Sequence, residues 1–271
     1  MDTAKSFPSV WVTPSGSLAY GVIPKCGCST IKQIMHYADH GSFYVGERIS
    51  EGFHTWADEE SRPAIVTAAE GGAIRFTCVR NPYRRLLSAF FDKISTRGEN
   101  GKFYRQRQMR DDLRAYGIRR EQGQNPDAQI RNFRRFVLFA RDAKRFKSPS
   151  PPDLHWAAIS GYVQRYVRGG GRYDAIFPLE RLNEGMQKVL DQAQTPYKVD
   201  LGSVPRFNES AENGPKRAHP VEAYFDDLTI QIMMDAYGRD FDLFGYDATN
   251  PAREAPVREP DLDRIHATLL A

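Results

Sequence analysis

The chain has 271 residues, of which 41% are hydrophobic and 27% are charged. These proportions are typical of a globular protein that buries one sizeable core. No segment approaches the roughly 20 consecutive apolar residues of a membrane span, and the first residues carry no export signal, so we expect no membrane association and a cytoplasmic location. Three cysteines are too few for a framework of paired disulfides, which favours a reducing compartment.

A strand, a short loop and a helix follow one another near the start of the chain. Leu18–Ile23 is an apolar run that ends at Pro24, as expected of a buried strand that leads into a loop. After the loop, apolar residues recur at the spacing of one helical face, at Ile31, Ile34, Met35 and Ala38. The predicted N-cap of this helix is Ser29 or Thr30.

Two further units repeat this pattern. Residues 73–79 form a second apolar run, after which Asn81 is predicted as the N-cap and Pro82 as part of the first turn of a helix. Residues 173–177 form a third run, followed by a helix. Three strand-then-helix units predict an α/β domain with a central parallel sheet flanked by helices.

The predicted domain spans residues 1–247. Within it, residues 97–150 form a helical, basic insertion, with a helix at 127–146, and another helix is predicted near 221–237. After residue 247 the composition shifts to proline and charge. Residues 248–271 are therefore predicted to be a loosely held arm that ends in a short amphipathic segment.

The positive charge is concentrated in one region of the chain. The net charge is +4, but residues 97–147 contain fifteen Lys or Arg and six Asp or Glu. This excess predicts an anion-facing surface, and the solvated faces of ordinary helices are the alternative interpretation.

The first loop, Pro24–Thr30, has the features of a phosphate site. A strand that opens a helix through small residues directs backbone amides to one point, where the helix dipole favours negative charge, and Lys25 adds a cation. The loop lacks the G-x-x-x-x-G-K-[ST] order of nucleoside-triphosphate loops, so a triphosphate is not the expected ligand. A plain strand-to-helix turn remains the alternative.

A second anion site is predicted after the second strand. Arg80 ends that strand, and Arg85 and Ser88 lie three residues apart on the helix that follows, so the three side chains can converge on one anion. Two anion sites at the same edge of a sheet suggest a nucleotide that is phosphorylated at two places.

These two motifs resemble those of sulfotransferases that use 3′-phosphoadenosine-5′-phosphosulfate (PAPS). The loop Pro24–Thr30 looks like their 5′-phosphosulfate loop, and Arg80–Phe90 matches their 3′-phosphate motif, R-x-P-x-x-R-x-x-S-A-[YF]. Later segments are similar, in family order, to the carbohydrate sulfotransferases of the chondroitin, dermatan and heparan type. These segments are His155-Trp156, Tyr173-Asp174 with Glu180, Pro205–Ser210 and Tyr237–Tyr246.

The resemblance implies a P-loop-like, three-layer fold and in-line transfer of a sulfuryl group from PAPS to a hydroxyl of a carbohydrate. The basic region 97–147 favours an anionic carbohydrate. The product is adenosine 3′,5′-bisphosphate (PAP), and no metal is required. Lys25 is expected to meet the leaving oxygen. The other expected nucleotide contacts are Cys26, Gly27, Cys28, Ser29 and Thr30 at the 5′ end, Arg80, Arg85 and Ser88 at the 3′-phosphate, and Arg206 and Asn208 over the adenosine.

Transfer to a hydroxyl needs a base, and an ordinary histidine, with a pKa near 6.5, suits proton abstraction at neutral pH. His54 is the first candidate because related heparan-type enzymes place a base-bearing segment between the two motifs. His155, beside Trp156, is the second. A carboxylate is the third possibility, at Glu47, Glu51 or Glu180.

Two other classes of function remain open from the sequence. A P-loop nucleotide kinase would keep the fold, but the G-K-[ST] order and an acidic strand end for Mg²⁺ are missing. A binding module for nucleic acid or another polyanion would use the basic region, but no nucleic-acid motif accompanies it, so nucleic acid is not the expected partner.

Overall fold

The computed structural model describes residues 10–44, 72–94, 107–119, 125–145, 154–205 and 219–271. The chain divides into two compact units. The sheet unit comprises Met1–Val79, Ile159–Phe207 and Glu259–Ala271, and the helical unit comprises Arg80–Ala158 and Asn208–Arg258. The domain boundary proposed at residue 247 stays a prediction.

Four strands form a sheet in the order β1-β2-β3-β4. They are β1 (Val10–Val12), β2 (Leu18–Gly21), β3 (Ile74–Val79) and β4 (Ala175–Pro178). β2, β3 and β4 are parallel neighbours, which confirms the three predicted strands and the α/β class. The sheet is nevertheless mixed rather than purely parallel, because β1 pairs antiparallel with β2. The sequence did not predict β1, since a run of three residues is too short for a periodic pattern.

Eight α-helices lie within the described residues. They are α1 (Cys28–His40), α2 (Pro82–Ala89), α3 (Arg107–Ala115), α4 (Pro126–Arg145), α5 (Ile159–Arg168), α6 (Leu182–Gln192), α7 (Asp227–Phe244) and α8 (Leu262–Leu270). A π-helical turn, Phe90–Ile94, extends α2. No helix in the described part of the chain combines the length and apolarity needed to cross a bilayer.

The core of the sheet unit lies between one face of the sheet and the helices α1 and α6. The strands contribute alternate residues, as a pleated surface requires. The buried cluster includes Leu18, Tyr20, Phe76, Cys78 and Phe177 from the strands, Ile31, Ile34, Met35 and Ala38 from α1, and Met186 and Val189 from α6. The apolar stripe predicted for the first helix is therefore confirmed.

The core of the helical unit is rich in aromatic rings. α7 packs against α4 and α2. Phe90, after α2, packs edge-on against Phe133 of α4, with the ring centroids 5.4 Å apart. Phe133 packs edge-on against Phe225, with the centroids 5.0 Å apart. Edge-to-face pairs of this kind add about 0.5–1.5 kcal/mol each beyond the burial of their surface. The interior of this unit is therefore closely packed around α4.

The beginning of the C-terminal arm is bonded to the N-terminal end of α2, in contrast to the loose segment expected from composition. Asn81 donates from Nδ2 to the carbonyl oxygens of Arg253 and Glu254, at 3.0 and 3.3 Å, and the hydroxyl of Tyr83 donates to the carbonyl of Ala248. These contacts join residues far apart in the chain, which composition cannot reveal.

The end of the arm forms α8, so the predicted amphipathic segment is a helix. His266 of α8 is 8% exposed, and its Nε2 accepts a hydrogen bond from the backbone N–H of Tyr173 at 3.3 Å. Tyr173 stands just before β4. α8 therefore holds the start of that strand through a ring nitrogen that must be unprotonated.

We expect this contact to make stability depend on pH. Burial, and then the charge of Arg172, lowers the pKa of His266, against the smaller opposing effects of Asp263 and Asp174. The unfolded chain then binds more protons than the folded chain below about pH 6.5, so stability is complete above that pH and decreases as the pH falls towards the folded pKa. We expect the free energy of unfolding, measured with denaturant, to fall less between pH 7.5 and pH 5.5 in His266→Gln than in the wild type. An equal decrease in the wild type and the variant would exclude His266 as the origin of the pH dependence.

Candidate functional site

A β-turn, in which Lys25 has a left-handed backbone conformation, links β2 to α1. The N–H of Cys26 donates to the carbonyl oxygen of Ile23 at 3.2 Å, with Pro24 and Lys25 between them. Lys25 has φ of 68°, the one positive φ of a non-glycine residue in the described ranges. Proline at the second position and a positive φ at the third are the signature of a type II turn, whose third residue is usually glycine. A lysine there costs about 1–2 kcal/mol in backbone strain, which points to a functional role for its side chain.

α1 begins directly after this turn. Its N-cap is Gly27, with φ of 75°, and the carbonyl of Gly27 accepts from the N–H of Ile31 at 3.0 Å. The prediction of Ser29 or Thr30 as the N-cap is wrong, because the helix starts at Cys28 and includes both. A glycine N-cap offers no side-chain acceptor to the first-turn amides, and that turn contains no acidic residue. This helix end is therefore suited to an anion.

A side chain at Gly27 would also meet a neighbouring residue. A Cβ at this position would stand 2.5 Å from Cδ1 of Leu179, in the 3₁₀ turn Leu179–Arg181 after β4. The turn therefore approaches the loop closely. Glu180, one of the candidate bases, is the next residue and is half-buried.

The side chain of Tyr20, near the loop, is uncharged. Tyr20 is fully buried, and burial, followed by the nearby thiols of Cys28, Cys78 and Cys26, raises the pKa of its hydroxyl well above the ordinary value. The phenol therefore stays neutral and does not repel an anion above it. No role for Tyr20 was predicted beyond its place in the apolar run of a buried strand.

The second motif lies in the helical unit. The side chain of Asn81 accepts from the N–H groups of Tyr83 and Arg84, at 3.0 and 3.4 Å, and Pro82 occupies the first turn of α2. This confirms the predicted N-cap and first turn. Arg80 precedes the cap and is half-buried, as is Ser88 near the other end of the helix.

Arg85 differs from Arg80 and Ser88 in its surroundings. It is 2% exposed, and its guanidinium donates from Nη1 to the carbonyl of Ala157 at 2.6 Å and from Nη2 to that of Leu154 at 3.3 Å. The structure thus brings Arg85 to the segment that carries His155, a contact that the spacing of the motif did not predict.

Other candidate residues lie in different places. His155 is half-buried, beside the fully buried Trp156. The remaining candidates fall outside the described residues, and these are His54, Glu47, Glu51, Arg206 and Asn208. No group of three or more His, Cys, Asp or Glu in the described ranges is placed to hold a metal ion.

Several arginines of the basic region are bonded within the helical unit. Arg134 of α4 pairs with Asp226 at 2.8 Å, and Arg135 donates to the carbonyl of Gly117 at 2.7 Å. Arg141 pairs with the adjacent Asp142. These three side chains hold local structure, so the predicted anion-facing surface would depend on the other basic residues of the region.

The parallel strands and flanking helices define an α/β protein, and the turn before α1 leads into a helix N-terminus that has no side-chain cap. The chain belongs to the sulfotransferase family, whose model matches residues 8–247.

Curated relatives agree with this family. Carbohydrate sulfotransferase 14 of Homo sapiens is 25% identical over 244 residues, a match that covers 87% of this chain and 59% of the relative. The Mus musculus protein of the same name is similar to the same degree. Carbohydrate sulfotransferase 9 of Homo sapiens is 22% identical over 251 residues, covering 88% of this chain and 53% of the relative. The chain thus spans between half and three-fifths of the length of these relatives. No solved structure matches it.

Proposed function

We propose that this protein transfers a sulfuryl group from PAPS to a hydroxyl group of a carbohydrate. The proposal rests on the loop before α1 in a chain of the sulfotransferase family. In this loop Lys25 has a strained, left-handed backbone conformation, and the N-terminus of α1 that follows has no side-chain cap. The carbohydrate acceptor is suggested by the names of the relatives, and an anionic glycan by the basic residues between 97 and 147.

The loop suits the 5′ end of PAPS. The backbone from Cys26 to Thr30 would hold the 5′-phosphate, because the first-turn amides and the helix dipole favour an anion there. PAPS supplies a sulfuryl group whose bridging oxygen leaves with negative charge. Lys25, in the turn before the helix, would stabilise that charge with its ammonium group.

Arg80 and Ser88 would bind the 3′-phosphate, and Arg206 and Asn208 would cover the adenosine. On the acceptor side, His54 or His155 would take the proton of the hydroxyl. Glu180 is the remaining described candidate for a base, since it follows Leu179 next to the loop.

The 3′-phosphate assignment predicts a selective loss of affinity in Arg80→Ala. Loss of a charge-assisted contact costs about 1.5–3 kcal/mol, which is roughly ten- to hundredfold in affinity for PAP. Adenosine 5′-phosphate (AMP) has no 3′-phosphate and should bind the variant as it binds the wild type. Isothermal titration calorimetry with PAP, AMP and ATP measures all three affinities.

Arg84→Ala is the matched control, because Arg84 is a nearby arginine in α2 that pairs with Glu254 at 3.4 Å and is not a proposed ligand. It should keep its preference for PAP over AMP. Equal weakening of PAP and AMP in Arg80→Ala would reject the assignment, and a preference of the wild type for ATP with Mg²⁺ would favour a kinase.

A further inference from the structure

Three segments that the sequence analysis singled out separately meet in the helical unit: the 3′-phosphate motif, the His155-Trp156 pair and the start of Tyr237–Tyr246. We propose that Arg85 and Tyr237 are positioning residues that fix the segment 154–157 and so hold His155 in one orientation. This inference rests on the proposed function for its catalytic consequence, and it gives Arg85 a role other than binding the 3′-phosphate.

Arg85 bonds to the backbone on both sides of His155. The carbonyl of Leu154 lies before the histidine and that of Ala157 lies after it, and one guanidinium donates to both. A planar guanidinium offers donors in a fixed fork, so two such bonds define the distance and angle between the two carbonyls. The backbone that carries His155 is therefore held at both ends.

Tyr237 of α7 supplies a third bond. Its hydroxyl donates to the carbonyl of Trp156 at 2.7 Å, and the residue is only 3% exposed. Three carbonyl oxygens within four consecutive residues thus accept from buried side chains. Such a segment has few ways to move without leaving buried polar groups unsatisfied, which is costly.

The indole of Trp156 anchors the same segment in the core. It is fully buried and packs edge-on against Phe136 and Phe139, with ring centroids 5.3 and 6.1 Å away. His155 itself stays half-buried. The neighbouring side chain is thus fixed in the interior, while the imidazole keeps part of its surface exposed.

Burial keeps the Tyr237 hydroxyl protonated, as a donor must be. Burial raises its pKa, while the charge of Arg85 lowers it and that of Asp240 raises it. Asp240 is fully buried three residues further along α7, on the same face as Tyr237. Arg85, Tyr237 and Asp240 therefore form one buried polar group beneath the His155 segment.

Arg85 is poorly placed to serve a phosphate as well. Turning its guanidinium to a ligand would break both bonds, and Arg85 is itself almost fully buried, so its donors would need new partners. Arg80 and Ser88, both half-buried, remain the proposed contacts of the 3′-phosphate.

The test compares two pairs of variants. Tyr237→Phe removes one oxygen atom, and Tyr224→Phe is its matched control, because the buried Tyr224 hydroxyl donates to Gln129 at 3.1 Å in the same unit. We expect Tyr237→Phe, and not Tyr224→Phe, to speed hydrogen exchange of the amides at 154–158 and to lower kcat about tenfold. Arg85→Lys should likewise speed exchange at 154–158 and lower kcat, while its affinity for PAP changes by less than about threefold.

A double-mutant cycle with His155→Ala tests whether the effect passes through the histidine. If Tyr237 acts on turnover through His155, Tyr237→Phe has no further effect on kcat in the His155→Ala background. If the two substitutions lower kcat independently, so that the double variant shows the product of the two single effects, the proposal is overturned. A loss of PAP affinity in Arg85→Lys with AMP affinity retained would also overturn it, since that marks Arg85 as a phosphate ligand.

The exchange measurement separates this inference from the proposed function. If the wild type does not use PAPS but exchange at 154–158 accelerates in Tyr237→Phe alone, the proposed function fails and the positioning role is supported. If exchange is the same in Tyr237→Phe and Tyr224→Phe, the positioning role is overturned whatever the donor.

Discussion

Replacing Lys25 with alanine will lower kcat for sulfuryl transfer by about a hundred- to thousandfold, and will weaken binding of PAP by less than about tenfold. The reason is that negative charge on the bridging oxygen grows towards the transition state, so a cation at that atom contributes more to the rate than to ground-state binding. The measurement is steady-state kinetics with PAPS beside calorimetry with PAP.

The backbone of Lys25 supplies the control. Alanine at φ of 68° keeps the strain of the turn, whereas glycine adopts this conformation without penalty. If the ammonium group matters, Lys25→Gly loses as much activity as Lys25→Ala. If only the shape of the turn matters, Lys25→Gly stays active, and equal losses of rate and affinity would leave Lys25 as a simple phosphate contact.

The second large effect is expected at the base. We expect His155→Ala to lower kcat by about a hundred- to ten-thousandfold with PAP affinity nearly unchanged, the magnitude usual for lost general-base catalysis. The fixed backbone on both sides of His155 favours this residue among the candidates.

His54→Ala and Glu180→Gln are the comparisons for this prediction, each confirmed to be folded by its unfolding transition. Both are expected to keep most of the wild-type turnover. A collapse of turnover in folded His54→Ala, with near-normal turnover in His155→Ala, would assign the base to His54 as the resemblance to heparan-type enzymes suggests.

The parts of the fold that could be predicted are those that local patterns encode. An apolar run before Pro24 and a helical stripe after it were enough for β2 and α1, and Asn81 before Pro82 was enough for the start of α2. The N-cap of α1 was misplaced because the usual preference is for a hydroxyl side chain, while here Gly27 enters the left-handed region and starts the helix earlier.

The candidate site was predicted in part. The loop at Lys25 followed from its own residues, but the turn type and the strain of Lys25 depend on φ, which no residue pattern states. The partners of Arg85 lie about 70 residues away along the chain. Composition likewise counts the positive charges of α4 without showing that Arg134 and Arg135 bind carboxylate and carbonyl groups of the protein itself.

Sulfuryl transfer from PAPS to a carbohydrate hydroxyl can be observed in a single assay. The purified protein is incubated with PAPS and a panel of neutral and anionic glycans, phenols and peptides, and the products are analysed by mass spectrometry. We expect a sulfated glycan and an equal amount of PAP, both absent when PAPS is replaced by ATP with Mg²⁺. Transfer to phenols or peptides alone would exclude a carbohydrate acceptor, and phosphorylation from ATP without any transfer from PAPS would show that the protein is not a sulfotransferase.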